Sequence, residues 1–576
     1  MDLTGRGARL LQFITLLTTI LSFRTLSCEY YTSVDELARW SQETRKFIDK
    51  LDELVQSQET RLLEMRRARD LLKPIEHEVS RPRTLMDPVH IFVTLNRLRT
   101  AMIVVDHLES YDMETLSNDC DEFHGGDQFK VRIEEDLRGS GVALLRLQAF
   151  YGLSLSHLIG GNVVPNESSR TFRMNAEDCY QLGRIAYQDE QYGPAIVWLH
   201  AALELKVHAN EALTGGGSEH EGNHLIDDIL DHMAFAAYKL GLLEYSAKLT
   251  RTWLERDPNN ERARENLDYY LDELSASELN ESLSSRIFPM SSAGIGAVQE
   301  RLLTLSTERY FQNYKNLSLE KYLVEDDEVV RWLCRQSEPT ANTPNKCQTR
   351  TATFVRGYFY PGIRIETLNE DPKIVRIYDI ITPKEAQHLQ QQSRPRLQRS
   401  TIMLSSGERT SDFRIAKTAW VGGESDPIIE RIENRLASIL DIGLEQSELL
   451  QVVNYGLGGF YGPHLDSARA SNASGDDSVL VNQLKRSDRY ATILIYLNNV
   501  DAGGSTVFPL LNLTATPIER SAIVWLNILD NGFTDERTLH TGCPVSLGSK
   551  WVAVKWPREQ ANSFAGRNQW WRQRRR

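Results

Sequence analysis

The periodicity of the apolar residues changes once along the chain, and that change limits what it can fold into. Up to about residue 275, apolar side chains recur every three or four positions, the spacing of one helix face. From about residue 350 they come in short runs rich in β-branched and aromatic residues, separated by Gly, Asp and Pro. These runs are "IVRIYDII", "STIML", "ELLQVVNY", "YATILIYLN", "STVFP", "SAIVWLN" and "KWVAVKW". Many short strands with turn signals between them predict an all-β sandwich or barrel. The stretch "DPIIERIENRLASIL", 426–440, reads as a helix packed beside it. The expected fold class is multidomain α+β, and 576 residues allow about three or four domains.

The helical half divides further. Over 34–73, steps of three and four from Leu37 reach Trp40, Phe47, Leu51, Leu54, Met65 and Leu72, so one seam runs along the helix. Both a self-associating coiled coil and an ordinary amphipathic helix fit that seam. Residues 85–155 continue as helices. Residues 175–274 look like helical hairpins, with Ala186-Tyr187 of the first matching Ala237-Tyr238 of the second at an offset of 51. A tetratricopeptide repeat has a period of about 34. The polar insert 208–224, "HANEALTGGGSEHEGNH", accounts for the excess, and "ERARENLDYYLDEL" would cap the pair. Stacked hairpins leave a concave groove, whose aromatics can take an extended peptide. Residues 276–345 are polar and Ser/Glu-rich and read as a linker.

A formal net charge of −13 argues against a general nucleic-acid binder, and the terminal "RQRRR" reads as a solvated tail. Arg6 and Arg9 precede "LLQFITLLTTILSF" and then "RTLSC", the pattern of a secretory signal cleaved near Ser27 or Cys28. That apolar run is short for a membrane anchor, and no later run is long enough to span. Sequons at Asn166, Asn280, Asn316, Asn472 and Asn512 fit the same route. Of six cysteines, Cys334 and Cys347 lie close in a polar loop and are expected to pair, and Cys543 is the candidate free thiol. No CxxC is present, which disfavours a zinc finger or redox dithiol.

The stretch "NYGLGGFYGPHLDSA" holds the chemistry. In a strand, residues two apart point the same way, so "HLD" aims His464 and Asp466 at one point. His540, 76 residues on in the same β-rich region, is the candidate third ligand. Two histidines and a carboxylate form the facial triad of non-haem Fe(II) oxygenases. Lys550, ten residues later, could meet a carboxylate of a bound co-substrate as a point charge. A lone HxD or a lone His is most often structural. An inward Lys is less ordinary, because an unpaired buried charge is costly.

Taken together, "LQVVNYGLGGFYGPHLDSAR", "GGSTVFP" and "HTGCPVSLGSKWVAVKW" resemble the α subunit of the animal collagen prolyl 4-hydroxylases. The resemblance covers nearly the whole mature chain and is closest at 447–556. It implies Fe(II) on His464, Asp466 and His540, with Lys550 on the distal carboxylate of 2-oxoglutarate. Tyr455 and Thr492 would line the co-substrate pocket. It further implies a signal peptide (1–28), a helical coiled-coil dimerisation domain (29–160) and a TPR-like peptide-substrate-binding domain (170–275). A linker (276–349), a double-stranded β-helix (jelly-roll) dioxygenase domain (350–560, core 447–557) and a basic tail (561–576) would follow. In the peptide domain, Tyr187, Arg262, Asn266 and Tyr269 fall on positions that contact a proline-rich peptide. A polyproline II ligand has no internal hydrogen bonds, so its free carbonyls and ring faces suit Arg, Asn and aromatic partners. Departures are His232 and Phe235 where the family has tyrosines, Arg558 where it has a His, and the lack of the family's far C-terminal cysteine.

The resemblance implies a procollagen-proline 4-dioxygenase that hydroxylates proline at C4 in Xaa-Pro-Gly repeats, with ascorbate restoring oxidised iron. Its expected setting is the endoplasmic reticulum lumen, in an α2β2 tetramer with protein disulfide isomerase. Two alternatives stand beside this: the same reaction on another secreted proline-rich protein, and a catalytically weak scaffold that binds proline-rich peptides. Lys550 disfavours lysyl and oxygen-sensing prolyl hydroxylases, which share the metal triad but use Arg at the co-substrate position.

Overall fold

The computed structural model describes residues 87–109, 127–163, 173–212, 223–277, 327–336 and, with short breaks, 346–467 and 488–562, plus four helical positions between 66 and 73. The coiled-coil seam over 34–73 lies almost wholly outside the described residues. So do the signal segment, most of the basic tail, and Asn166, Asn280, Asn316 and Asn472. Asn512 is described and exposed. No described helix is long and apolar enough to cross a membrane.

The first half is helical. Helices α1 (Pro88–Glu109), α2 (Asp127–Tyr151), α3 (Ala176–Gln188), α4 (Tyr192–Ala212), α5 (Asn223–Lys239), α6 (Leu243–Arg256) and α7 (Glu261–Ser277) pack mainly on their sequence neighbours, in TPR-like fashion. The insert expected at 208–224 is shorter than its composition suggests, since α4 runs to Ala212 and α5 begins at Asn223. One apolar core runs from Phe92 of α1 through Leu144, Leu182, Trp198, Met233 and Trp253 to Tyr270 of α7. It crosses the boundary expected at 160–170 without interruption. Hydrogen bonds between buried polar side chains tie its helices together. Asn175 caps α3 in a capping box with Asp178, and the buried Asp178 also accepts a hydrogen bond from Asn96 of α1 (2.9 Å). Trp198 donates to Gln148 of α2 (2.9 Å).

Among the described residues, the second half contains three two-stranded ribbons and two large sheets. The strands of both are β1 (Lys346–Arg350), β2 (Ile363–Glu370), β3 (Lys373–Ile377), β4 (Gln398–Arg399), β5 (Arg414–Ile415), β6 (Lys417–Val421), β7 (Leu450–Tyr455), β8 (Phe460–His464), β9 (Ala491–Tyr496), β10 (Thr506–Phe508), β11 (Leu513–Ala515), β12 (Ala522–Leu526), β13 (His540–Gly542) and β14 (Lys550–Lys555). The larger sheet has nine strands in the order β1-β2-β3-β12-β9-β14-β7-β6-β4, and the smaller has five in the order β11-β10-β13-β8-β5. All their pairings are antiparallel. The expected "STIML" strand forms a separate ribbon, Thr401–Leu404 against Gly407–Thr410.

Strand alternation sorts the side chains of the larger sheet into two cores. Ile493, Ile495, Ala522, Val524 and Ala553 share one core with Leu389 of α9 (Pro383–Ser393) and Leu436 of α10 (Pro427–Leu440). Leu494, Tyr496, Ile523, Trp525, Val552 and Val554 share the other with Phe508 and Leu513 of the smaller sheet. The second core is therefore the space between the sheets, and Thr492 and Lys550 have its parity. Arg435 of α10 donates to both carboxylate oxygens of Glu385 (2.7 and 2.8 Å), locking the two covering helices together.

Two expectations are corrected. The stretch 276–349 is not only a linker. Helix α8 (Asp327–Cys334) buries Val330 and Leu333 against Ile415, Phe460 and Val507 of the smaller sheet and Phe150 of α2. Its amphipathic pattern is short and surrounded by polar sequence, which hides it. Second, Cys334 pairs with Cys543, 209 residues away, rather than with Cys347. Cys543 is thus not a free thiol; the buried Cys179 is. Burial of α8 on the sheet brings Cys334 to the strand end, a contact that sequence proximity cannot reveal.

Candidate active site

His464 closes β8 and His540 opens β13, and these neighbouring strands place the two residues as direct cross-strand partners. Their rings are 4.2 Å apart between centroids. Asp466 lies just past the end of β8, in a bend, and still turns back to the same point. Its Oδ1 is 3.6 Å from His464 Nε2 and its Oδ2 is 3.7 Å from His540 Nε2. One donor atom from each residue falls within 4.8 Å of the others.

Backbone carbonyls fix both tautomers. His464 Nδ1 donates to Gly462 O (2.8 Å) and His540 Nδ1 donates to Thr538 O (3.0 Å). Each Nε2 lone pair is left toward Asp466. Burial lowers the pKa of both rings, helped at His464 by its neighbour His540, so both are neutral near pH 7. Burial alone would raise Asp466. His540, His464, Arg489 and the Thr492 hydroxyl outweigh it and hold the carboxyl down at about 2. Two neutral imidazoles and an ionised carboxylate converging on one point are the donor set of an open Fe(II) site. The residues present fit that metal.

Lys550 opens β14 directly across from Tyr455 of β7. Its side chain is buried, and burial pushes its pKa down to about 7. The ammonium lies 5.3 Å from the Tyr455 ring centre and 5.6 Å from that of Tyr496. Among the described residues no carboxylate pairs with it. A buried cation cushioned only by aromatic faces is set for an anionic ligand. Tyr455 is thus beside the cation. Thr492, expected in the same pocket, instead donates its hydroxyl to Asp466 Oδ2 (2.6 Å) and sits beside Asn527. It orients a candidate ligand.

Tyr461, Arg414, Trp525 and Arg489 escaped the sequence reading as neighbours of the site. Tyr461 stacks on His464 at 3.5 Å, and the Arg414 guanidinium lies 4.7 Å over the Tyr461 ring. Tyr461 is three residues before His464 within the quoted motif, whereas nothing in the sequence points to Arg414. Trp525 meets His540 edge-on at 4.8 Å. Arg558 donates to Glu448 (2.5 Å), a carboxylate that also accepts from Arg489 (2.7 and 2.6 Å). Arg489 in turn stacks on Trp556 (3.8 Å).

The candidate peptide residues form a separate site. Tyr187 of α3 meets His232 (4.8 Å) and Phe235 (5.7 Å) of α5 edge-on. The series continues through Tyr238 to Tyr269 (5.6 Å) and Tyr270 (5.3 Å) of α7. Arg262 pairs with Asp231 (2.9 Å), and Asn266, one turn further along α7, is half-buried between Arg262 and Tyr269. His232 and Phe235 thus lie inside the aromatic series and not at its margin.

Three family models match successive parts of the chain. The prolyl 4-hydroxylase α-subunit N-terminal region matches residues 33–164, the prolyl 4-hydroxylase peptide-substrate-binding domain matches 176–276, and the 2OG-Fe(II) oxygenase superfamily matches 450–558. Chicken prolyl 4-hydroxylase subunit alpha-2 is 28% identical over 93% of this chain and 94% of its own length. Human prolyl 4-hydroxylase subunit alpha-1 is 28% identical over the same shares. Rat prolyl 4-hydroxylase subunit alpha-3 is 28% identical over 97% of this chain and 98% of its own. With the N-terminal, peptide-binding and oxygenase segments matched in order and relatives aligned along almost the full length, the chain belongs to the prolyl 4-hydroxylase α-subunit family, whose catalytic segment is a 2-oxoglutarate-dependent dioxygenase.

Proposed function

We propose that the chain is the α subunit of a procollagen-proline 4-dioxygenase, converting proline to 4-hydroxyproline in Xaa-Pro-Gly repeats. 2-Oxoglutarate and O2 would be consumed, and succinate and CO2 released. The observation that carries this is the convergence of His464, Asp466 and His540 beside Lys550, a buried cation with no carboxylate partner among the described residues. His464, Asp466 and His540 would hold Fe(II). Bound with 2-oxoglutarate, the iron supplies the activation of O2 needed to oxidise an unreactive C–H bond.

The chain's residues do the rest. Lys550 would fix the far carboxylate of 2-oxoglutarate, with Tyr455 beside it. Thr492 keeps Asp466 ionised and aimed. The space between the sheets, lined by Trp525, Phe508 and Tyr496, excludes water from the reacting centre. The Tyr187–Tyr269 series, with Arg262 and Asn266, would take the proline-rich peptide along the helical half. The architecture of the catalytic half supports a double-stranded β-helix, because two antiparallel sheets enclose the site. Ascorbate as the reductant, a cleaved signal at 1–28, luminal residence in the endoplasmic reticulum, a coiled-coil dimer seam and a tetramer with protein disulfide isomerase belong to the same reading. The exposed Asn512 side chain and the long-range disulfide are compatible with it.

One observation favours a second reading, the same reaction on a different secreted proline-rich protein. His232 places an imidazole inside the aromatic series, with Nδ1 donating to Asp228 O (2.6 Å). A panel of (Pro-Pro-Gly) and non-collagenous proline-rich peptides, assayed for 2-oxoglutarate-dependent hydroxyproline with His464→Ala as control, tests both. Hydroxylation of (Pro-Pro-Gly) repeats supports the first reading. Hydroxylation confined to other peptides supports the second. Absence of succinate release and of hydroxyproline on every peptide leaves only a peptide-binding scaffold.

A further inference from the structure

A single helix of the other half of the molecule grips the strands of both histidines. Arg146 of α2 is 1% exposed, and its Nη1 donates to the carbonyl of Gly458 (2.8 Å), in the turn that leads into β8 and His464. Its guanidinium also lies 4.8 Å over Phe460, the first residue of β8. Five residues along the same helix, Tyr151 donates its hydroxyl to the carbonyl of Pro544 (2.5 Å), just past β13 and His540. Between them Phe150 packs on Phe460 at 5.8 Å.

The fit leaves no slack. Gly458 has φ +66°, and a Cβ there would come within 2.6 Å of the Ala143 Cβ. A Cβ on Gly503 would come within 2.7 Å of the Tyr151 hydroxyl. On its other side, α2 bonds α4 through Gln148 and Trp198 and admits Ile185 of α3 against Gly141. Helix α3 also carries Tyr187, so α2, which packs against that helix, touches the turn beside each histidine.

We propose that Arg146 and Tyr151 are positioning residues of the metal site. They pin the turn before β8 and the turn after β13 to one rigid rod, which sets the spacing of the His464 and His540 donors. Burying a guanidinium at a domain contact is costly unless its bonds are well made. Arg146 makes one to the backbone of the very turn that aims His464. The helical half is then part of the frame of the metal centre as well as a platform for peptide. The inference rests on the reading that His464, Asp466 and His540 hold a divalent metal.

The test is a Co(II) titration of the full metal-free chain, followed by the visible absorption of the bound ion, for wild type, Tyr151→Phe, Arg146→Met, Arg146→Lys and the Tyr151→Phe/Arg146→Met pair. Loss of one hydrogen bond should weaken Co(II) binding about 2- to 10-fold in each single variant. The pair should lose more and show an altered absorption band, while Arg146→Lys recovers part of the loss. Gln148→Met strips a buried bond from the opposite face of α2, and should lower thermal stability without moving the band. Unchanged affinity and spectrum in Tyr151→Phe, which keeps the ring and its packing, overturn the proposal even if the Arg146 variants do not fold. Failure of wild type to bind Co(II) at all, with His464→Ala indistinguishable from it, overturns the metal reading as well.

Discussion

Lys550 stands directly across from Tyr455 on adjacent strands, its ammonium 5.3 Å from the ring centre and its pKa lowered to about 7. In the ligand-free protein the cation is therefore half lost near neutrality. A dicarboxylate that needs the charged form must take up a proton on binding as the pH rises. Between pH 7 and 9, where both site histidines are already neutral, 2-oxoglutarate affinity should fall by up to about tenfold per pH unit. Lys550→Met should abolish that slope and weaken binding about 10- to 100-fold at pH 7, as expected for loss of a charged hydrogen bond. Calorimetric titration of the metal-loaded chain across that range checks both, and a flat profile in wild type would count against the role given to Lys550.

Thr492 acts through Asp466. Its hydroxyl donates 2.6 Å to Oδ2 and is one of the contacts that keep the carboxyl ionised. Thr492→Val keeps the shape and removes the donor. Metal affinity should drop about 10-fold, because Asp466 loses the hydrogen bond that orients it. The KM for peptide should stay within a factor of two or so, because the helical groove is untouched. A metal titration set beside a 2-oxoglutarate titration distinguishes this from a simple pocket-lining role, which would move 2-oxoglutarate affinity alone.

His232 has Nδ1 committed to the Asp228 carbonyl, so Nε2 is the one ring nitrogen it has left for the groove. Proline-rich peptides present many carbonyls and few N–H groups. A phenol in that place would add a donor. His232→Tyr should therefore lower the KM for (Pro-Pro-Gly) repeats about 2- to 10-fold and leave kcat unchanged. Steady-state kinetics on a set of peptides with and without hydroxyl side chains shows whether the natural preference lies with donor-bearing sequences.

The cross-link between Cys334 and Cys543 ties α8 to the strand that begins with His540. Cys334→Ser or Cys543→Ser should destabilise the oxygenase half by about 2–5 kcal/mol. The thermal midpoint should fall, and metal affinity with it. Cys347→Ser should leave both unchanged, and a scanning-calorimetry comparison of the three variants decides between this pairing and the one that sequence proximity suggested.

Local order was legible in the sequence and remote contact was not. The runs "YATILIYLN" and "KWVAVKW" were readable as strands, but the sorting of Thr492 and Lys550 onto the inner face is seen only once the two cores are known. The "HLD" spacing brought His464 and Asp466 together even though Asp466 lies beyond the strand end. His540 could be named as the third member, but its direct pairing with His464 is a matter of sheet order, which periodicity does not contain. Arg146, Tyr151, Arg414 and Arg489 left no trace, since each acts across the space between segments far apart in the chain. The helix holding Cys334 was concealed by the polar residues around it.

The 209-residue interval between Cys334 and Cys543 also orders events during synthesis. A nascent chain presents the earlier thiol, and then Cys347 only thirteen positions later, long before the ribosome reaches the true mate. The nearer thiol is the easier one to capture by loop closure, and the native bond can close only once Cys543 has been made. The native pairing thus requires that Cys334 stay reduced past Cys347 or leave it again by thiol–disulfide exchange.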